Sequence, residues 1–347
     1  MIRIKDIADR AGVSPTTVSN VIHGKSGRVS KETIERINAI LKEMEYVPSI
    51  SARMLANSSS GLIGVVIGFQ KKGTAFSLED PFVAALLGNL EYQIREKGYY
   101  MMLVTRHDRR EILEQAVGWN FDGIIAIGLC DREIQELSGN FSNPIVTIDQ
   151  YFEEPQEVVS VTMDDFGGAY QMGKYLTEKG HRRILFVSDN DRGVDHYRWQ
   201  GVKKALDEAG IRDSEKRHLL IPWDPVQREK KYQELLPYFR EQSALFFSSD
   251  YYALEASNFL QNQGVRVPQE ISIAGFDDVT YALLARPRLT TVHQMVDEKA
   301  KRALEILLGK IKGEPVPNDG KPIPTRIVER ESVREIREEE TGSEMCF

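Results

Sequence analysis

Residues 4–22 read IKDIADRAGVSPTTVSNVI, and this stretch decides the fold of the first part of the chain. Apolar residues at helical spacing form one face of a first helix, at Ile4, Ile7, Ala8 and Ala11. Gly12 ends this helix, and Ser14 with Pro15 starts a second one, because Ser caps free backbone N–H groups and Pro needs none. A third helix begins after Ser30 and has the inner face Ile34, Ile37, Leu41 and Met44. Two short helices joined by a tight turn with Gly predict a helix-turn-helix.

The second helix has two chemically different faces. Val18, Val21 and Ile22 form the apolar face that packs inside the domain. The opposite face carries short hydrogen-bonding side chains, namely Thr16, Ser19, Asn20 and His23. These side chains suit the major groove of DNA, since Asn pairs with adenine through two hydrogen bonds and a Thr methyl group contacts thymine. A polar face that only contacts solvent shows the same pattern, so spacing alone leaves both interpretations open.

Charge is distributed unevenly along the 347 residues, whose net charge is −7. The first sixty residues hold nine Lys/Arg against six Asp/Glu, and the remainder holds 36 against 46. A basic head on an acidic body is the asymmetry expected of a protein that binds nucleic acid.

Composition excludes several classes of protein. No apolar run approaches the ~20 residues of a membrane-spanning helix, and the N-terminus lacks the pattern of a signal peptide. Only two cysteines occur, Cys130 and Cys346, so we expect a cytoplasmic protein without a disulfide framework. The histidines lack metal-ligand spacing, and neither a structural metal nor a cofactor is predicted.

From Gly61 onward, apolar runs alternate with amphipathic segments. The predicted strands are Leu62–Phe69, Tyr99–Val104, Gly123–Ile127, Ile145–Ile148, Ile184–Val187, His218–Ile221, Leu245–Phe247 and Ile271–Phe276. Between them lie predicted helices such as Phe82–Lys97, Tyr170–Lys179, Tyr197–Ala209 and Tyr252–Gln263. This alternation predicts two doubly wound parallel sheets, divided near Val158–Asp165, with Thr290–Leu308 returning to the first sheet. The tail 338–347 is expected to be disordered.

Taken in order and at fixed spacing, the motifs of the chain resemble the lactose-repressor/galactose-repressor (LacI) family. The resemblance starts with the 4–22 stretch and continues through Val29-Ser30, Tyr46-Val47-Pro48, Ala52-Arg53-Met54-Leu55, Gly61-Leu62-Ile63-Gly64, Arg198-Trp199-Gln200-Gly201, Gly275-Phe276-Asp277-Asp278 and Leu289-Thr290-Thr291-Val292. It covers the chain to about Val333. It implies an all-α helix-turn-helix headpiece followed by two α/β lobes of the periplasmic-binding-protein-like type.

For the headpiece, the resemblance implies a residue-by-residue reading of DNA. Pro15, Thr16, Thr17 and Asn20 correspond to groove-reading positions, while Ser14 and Ser19 correspond to backbone contacts. The segment Pro48–Ser58 resembles the family's hinge helix, which enters the minor groove. There Leu55 matches the residue that wedges into the central base step, and Arg53 is a candidate phosphate contact.

For the lobes, polar residues follow predicted strands where a doubly wound sheet binds its ligand. Asp149, Ser249 and Asp277 stand at such carboxyl ends, although an ordinary helix cap gives the same pattern. The resemblance adds Arg198 and Asp277 as effector contacts, with Asp149 and Ser249 as further polar ones. Trp223 falls where an aromatic ring stacks on the effector. Phe69 is a candidate pocket wall or an ordinary core residue.

The domain boundaries implied are a headpiece at 1–47, a hinge at 48–58 and an effector-binding and dimerisation domain at 61–335. The N-lobe takes 61–160 plus 292–320, and the C-lobe takes 161–290 plus 321–335. The expected partners are pseudo-palindromic operator DNA, a second copy of the chain, and a small-molecule effector. A homodimer follows because one headpiece reads only half of a symmetric site.

Three ligand hypotheses stay open within this function. A sugar or sugar derivative is the leading one, a nucleobase is the second, and a phosphorylated carrier protein acting as co-repressor is the third. A periplasmic solute receptor is disfavoured by the headpiece. An enzyme is disfavoured because no Gly-x-Gly-x-x-Gly motif, P-loop or nucleophile elbow follows a strand. The sequence therefore predicts a transcriptional repressor without catalytic activity.

Overall fold

The computed structural model describes residues 2–22, 27, 29–46, 59–68, 76–105, 109–154, 157–316 and 320–336. Its first unit is a headpiece of three helices, α1 (Ile4–Ala11), α2 (Pro15–Ile22) and α3 (Lys31–Glu43). Gly12 ends α1 in the left-handed conformation, with φ 66°, which turns the chain sharply into α2. Both predicted caps are confirmed, since Thr17 N–H donates to Ser14 Oγ (3.1 Å) and Thr33 N–H donates to Ser30 Oγ (3.3 Å).

The core of the headpiece is small and wholly apolar. Its buried members are Ile7, Ala8, Ala11, Val18, Ile37 and Ile40. On α3 the predicted inner face is confirmed at Ile37, Leu41 and Met44. Ile40 is buried as well, whereas Ile34 is only partly buried. Ile34 lies in the first turn of α3, where fewer neighbouring side chains surround it.

The first lobe is built on a parallel five-stranded sheet. Its strands are β1 (Leu62–Ile67), β2 (Tyr100–Thr105), β3 (Gly123–Ile127), β4 (Ile145–Ile148) and β5 (Val159–Val161), in the order β2-β1-β3-β4-β5. Its helices are α4 (Phe76–Glu79), α5 (Pro81–Glu96), α6 (Arg109–Gly118) and α7 (Asp131–Asn140). The two predicted strands Gly123–Ile127 and Ile145–Ile148 are confirmed at both ends. β1 ends at Ile67, and Phe69 lies outside the described residues.

The second lobe repeats this order with one added strand. Its helices are α8 (Asp165–Glu178), α9 (Gly193–Glu208), α10 (Pro225–Arg240), α11 (Asp250–Asn262) and α12 (Thr280–Leu284). Its strands are β6 (Ile184–Ser188), β7 (His218–Leu220), β8 (Ala244–Phe247), β9 (Ser272–Asp277), β10 (Thr290–His293) and β11 (Arg326–Val328). The sheet order is β11-β10-β9-β8-β6-β7, and only β11 runs antiparallel to its neighbour. Two doubly wound lobes are therefore confirmed.

The chain crosses between the lobes three times, since β11 belongs to the second sheet again, and the first two crossings position the candidate site. It leaves β5 and enters α8 of the second lobe at Asp165, and it returns after β10 into helix α13 (Val296–Lys312). The predicted return of Thr290–Leu308 to the first sheet is wrong for the strand, because β10 pairs with β9. Only α13 joins the first lobe, where Ala300, Leu304 and Leu307 enter its core beside β3 and β4. None of the described helices is long and apolar enough to cross a membrane.

Candidate DNA-binding and effector sites

The candidate DNA-binding surface is the outer side of α2. Val18 is fully buried, which fixes the rotation of this short helix and leaves Ser14, Pro15 and Thr16 exposed at its start. Thr17, Ser19 and Asn20 are partly exposed. Arg10 of α1 pairs with Glu43 of α3, which ties the two supporting helices together.

Some predicted contact residues cannot be located on this surface. His23, together with Arg53 and Leu55 of the predicted hinge, lies outside the described residues, as does Phe69 of the predicted pocket. Ser14 is located, but its hydroxyl already caps α2 and lies 2.9 Å from the Thr17 hydroxyl. If Ser14 contacts a DNA phosphate, it does so with the same Oγ that caps the N-terminus of α2.

The candidate effector site lies where the carboxyl ends of both sheets meet. Asp149 directly follows β4 of the first lobe, and Asp277 ends β9 of the second. Arg198 reaches this place from α9. Parallel sheets bind ligands at this edge. Two of the strand-end residues predicted from sequence, Asp149 and Asp277, come together here, linked through Lys299 and Gln294.

Arg198 is the buried centre of the second-lobe half of the site. Its Nε donates to Asp165 Oδ1 (2.9 Å), and a second guanidinium nitrogen lies 2.8 Å from the same oxygen. The guanidinium lies over the Phe276 ring, 3.7 Å from its centroid, and donates to the Ser248 carbonyl. Burial opposes its charge, but Asp165, Asp277 and Asp195 outweigh that cost, so the pKa of Arg198 is raised. It therefore stays a cation under all physiological conditions.

Asp277 sits close to Arg198 without forming a tight pair. The nearest guanidinium nitrogen is 3.9 Å from Oδ1, which accepts its close hydrogen bond (2.6 Å) from Gln294 instead. Burial raises the pKa of Asp277 to about 7, against the lowering effect of Arg198. The backbone φ of 123° is rare for a residue with a side chain. A strained, poorly neutralised carboxylate of this kind suits a ligand-binding role.

Asp149 meets a partner that the sequence analysis did not identify. Lys299 of α13 donates to both carboxylate oxygens, Oδ1 at 2.9 Å and Oδ2 at 2.6 Å. Asp149 itself adopts the left-handed conformation with φ 57°, which places its carboxylate toward α13. Burial raises the pKa of Asp149, and the Lys299 charge opposes this rise.

Ser249 and Trp223 occupy more peripheral positions. Ser249 caps α11, with Tyr252 N–H donating to its hydroxyl at 3.4 Å, so this hydroxyl already has one partner within its own helix. Trp223 is partly buried and follows β7. The buried Arg228 donates to its backbone carbonyl at 2.6 Å, which fixes the loop that carries the indole.

Sequence reasoning missed four residues that complete the site, namely Tyr151, Asp165, Gln294 and Lys299. Asp165 was recognised only as the limit between the lobes. Lys299 stands three residues after Val296 and four before Ala303, within the apolar stripe of α13. A lysine at an inward position of an amphipathic helix was the signal that was available.

Comparison with known proteins agrees with this architecture. Residues 3–49 match the family model of bacterial regulatory proteins of the lacI family, and residues 174–333 match that of a periplasmic binding protein-like domain. The "HTH-type transcriptional repressor PurR" of Serratia proteamaculans is 31% identical over 342 residues, which cover 96% of this chain and 97% of the relative. The protein of that name from Erwinia tasmaniensis is 32% identical with the same coverage.

Solved structures show the same fold over nearly the whole chain. A complex of the transcriptional regulator CelR with cellobiose shares 27% identity and a TM-score of 0.69, covering 96% of this chain and 100% of that one. The lac repressor dimer bound to operator and the anti-inducer ONPF shares 22% identity and a TM-score of 0.82, covering 96% and 99%. The chain belongs to the LacI family and is a DNA-binding transcriptional repressor, not an enzyme.

Proposed function

We propose that this repressor responds to a sugar or sugar derivative bound between its two lobes, and that the ligand changes its affinity for operator DNA. The observation that carries the proposal is the excess of hydrogen-bond acceptors at the site. Asp149, Asp165 and Asp277 converge there, while Lys299 has its hydrogen bonds directed at protein acceptors. A ligand rich in hydroxyl donors complements such carboxylates, since each carboxylate accepts several hydrogen bonds.

Further contacts fit the same ligand. Arg198 has five N–H donors, and its described partners are Asp165, the Ser248 carbonyl and the more distant Asp277, which leaves donors for ligand oxygens. Trp223 supplies an aromatic face, and Ser249 supplies a hydroxyl at the end of β8. The solved CelR complex, 27% identical, contains cellobiose. The chemistry and this relative both favour a carbohydrate.

A nucleobase is the second candidate. The relatives named PurR, at 31–32% identity over nearly the full chain, favour a purine. An aromatic ring and a guanidinium suit a flat heterocycle as well as a sugar ring.

A ligand screen by thermal shift separates the two candidates. We expect cellobiose or a related sugar at 100 times its Kd to raise the melting temperature of the lobes by about 5 °C, while hypoxanthine, guanine and adenine leave it unchanged. An Asp277→Asn variant, run in parallel, should lose the shift. Stabilisation by a purine and by no sugar would assign the site to the second candidate.

For DNA, we propose that the exposed side of α2 reads the major groove through Pro15, Thr16, Thr17 and Asn20, with backbone contacts from Ser14 and Ser19. By the same family relation, Pro48–Ser58 serves as the hinge that brings Arg53 and Leu55 to the minor groove, and His23 extends the reading face. Effector binding would act on operator affinity by changing the relative position of the lobes and so the spacing of paired hinges.

Asn20→Ala tests this assignment. We expect operator affinity to fall about 10–100-fold, because a bidentate Asn–base contact contributes ~1–3 kcal/mol of discrimination. Fluorescence anisotropy with a labelled operator measures the loss. Asn38→Ala, an equally small change at an exposed position on α3, is the matched control and should bind as the wild type does. Equal losses in both variants would disprove a specific role for Asn20.

We further propose a homodimer that acts in the cytoplasm, where operator DNA lies. Apolar side chains are exposed on α12 at Tyr281, Leu283 and Leu284, and at the free edge of the first sheet at Tyr100 and Leu103. A second copy that covers both patches would remove this surface from water. Sedimentation equilibrium measures the state, and a monomer at micromolar concentration would contradict it.

A further inference from the structure

Lys299 is a fully buried cation in the first lobe, and it contacts residues that connect the two lobes. Its ammonium group donates to Asp149 Oδ1 (2.9 Å), Asp149 Oδ2 (2.6 Å) and Gln294 Oε1 (2.8 Å). The group also lies 4.9 Å from the centroid of the Phe82 ring. An ammonium has three N–H donors, so each of them has a protein acceptor. Lys299 therefore acts on neighbouring residues and not on the ligand itself.

The contacts of Lys299 continue into the second lobe. Gln294 links Lys299 to Asp277, because its amide oxygen accepts from Lys299 and its Nε2 donates to Asp277 Oδ1 at 2.6 Å. Asp277 approaches Arg198 at 3.9 Å, and Arg198 binds Asp165 at 2.9 Å. In order, the groups are a carboxylate, a cation, an amide, a carboxylate, a cation and a carboxylate. The longest step between them is the 3.9 Å from Asp277 to Arg198.

Tyr151 closes the sequence of contacts into a ring through the backbone of residues 149–151. Its hydroxyl donates to Asp165 Oδ2 at 2.7 Å, and Tyr151 lies only two residues after Asp149, where the sequence began. We call these seven side chains the interlobe ring; its members are Asp149, Lys299, Gln294, Asp277, Arg198, Asp165 and Tyr151. The ring passes from one lobe to the other twice, at Gln294–Asp277 and at Tyr151–Asp165. The two passages lie beside chain crossovers, at the step from β5 to α8 and at the step from β10 to α13.

We propose that Lys299 is a positioning residue of the effector site, which orients the Asp149 carboxylate and, through Gln294, couples it to Asp277 of the opposite lobe. The proposal rests on the effector site assigned above and deepens it. A ligand that binds Asp277 or Arg198 in the second lobe is thereby connected to Asp149 in the first. The coupling passes through residues that need not touch the ligand.

The first experiment uses pH to separate this role from simple packing. In Lys299→Met, Asp149 stays buried without its cation, facing Asp165, Arg198 and Tyr151, which are the other titratable groups around it. The pKa of Asp149 then rises further above its ordinary value. A carboxyl group whose pKa is higher in the folded state than in the unfolded state destabilises the folded protein as pH rises. The loss begins near the unfolded-state pKa and grows until pH passes the folded-state pKa. The melting temperature should therefore fall little at pH 5 and by about 5–10 °C at pH 8.

Two controls define the result. The double variant Asp149→Asn/Lys299→Met removes the buried charge and should recover most of the loss at pH 8. Lys301→Met changes an exposed lysine on the same helix and should match the wild type at both values of pH. A loss in Lys299→Met of the same size at pH 5 and pH 8 would show that the side chain only fills space, which would overturn the proposal.

The second experiment measures the lobes directly and needs no ligand. Spin labels on the exposed Cys130 of the first lobe and on Arg212→Cys of the second, with Cys346→Ser, report the interlobe distance by electron–electron resonance in protein diluted with unlabelled chains. Lys299→Met should broaden the distance distribution. Gln294→Met cuts the ring while it leaves the Asp149–Lys299 pair intact, so it should broaden the distribution although Asp149 keeps its cation. Unchanged distributions in both variants would overturn the coupling, whatever the ligand screen shows.

Discussion

Arg198→Met should abolish the response to any small molecule that stabilises the wild-type repressor, and it should lower the stability of the lobes by about 3–5 kcal/mol. The substitution keeps most of the side-chain length and removes the charge. Asp165 then loses two short contacts, and Asp277 loses its nearest cation. Both carboxylates stay buried, so their charges become uncompensated. Chemical denaturation measures the stability, and calorimetric titration with the compound found in the screen measures the binding.

Arg192→Met is the matched control for this variant. Arg192 lies just before α9, its side chain is 93% exposed, and its nearest acidic partner is Asp191, 66% exposed, at 4.0 Å. Its removal should leave stability within about 0.5 kcal/mol of the wild type. Full ligand binding by Arg198→Met would show that the effector does not use this cleft. Without ligand, operator binding should match that of the ligand-free wild type wherever the variant remains folded, because the headpiece has a core of its own.

The parts of this molecule that sequence predicts well are those set by local physics. The caps at Ser14 and Ser30, the turn at Gly12 and the strands Gly123–Ile127 and Ile145–Ile148 each follow from a few consecutive residues. The caps and the turn are decided within one or two helical turns. The two strands are short continuous apolar runs that are evident locally, although their hydrogen bonds join distant segments. The positions of Asp149 and Asp277 were also predictable, because parallel sheets place strand ends at one edge.

The parts that sequence predicts poorly depend on contacts between distant residues. Asp149 and Lys299 are 150 positions apart, and no periodicity connects a loop carboxylate to one lysine among many. Thr290–His293 has the composition of a buried strand in either sheet, and only pairing with β9 assigns it to the second. Ser249 shows that a correctly predicted position can still leave the role of a residue open. Its position at a strand end was predicted, but the hydroxyl caps α11, and a cap and a ligand contact look alike in sequence.

Gly201→Ala should disturb the effector site indirectly, by changing how α8 packs against α9. A Cβ at position 201 would lie 2.2 Å from the Phe166 carbonyl oxygen and 2.8 Å from the Tyr170 nitrogen. Both are backbone atoms of α8, so no side chain can turn away and the helices must separate. We expect a loss of about 3 kcal/mol, measured by chemical denaturation. The cost exceeds the gain of roughly 1 kcal/mol that Ala normally brings to a helix interior.

The separation should also reach Arg198, which gives the prediction a functional readout. Arg198 lies one turn before Gly201 on α9, and its partner Asp165 is the first residue of α8. Moving the two helices apart lengthens the 2.9 Å contact between them, so ligand affinity should fall more than 10-fold. Without ligand, operator binding should match that of the ligand-free wild type. Gly139→Ala is the control, because a Cβ there meets no atom within 4 Å and α7 carries no residue of the site. It should be neutral or slightly stabilising. If Gly201→Ala lost stability yet kept its ligand affinity, the Arg198–Asp165 contact would be a property of the fold alone, and the ligand would depend on Asp149 and Asp277 instead.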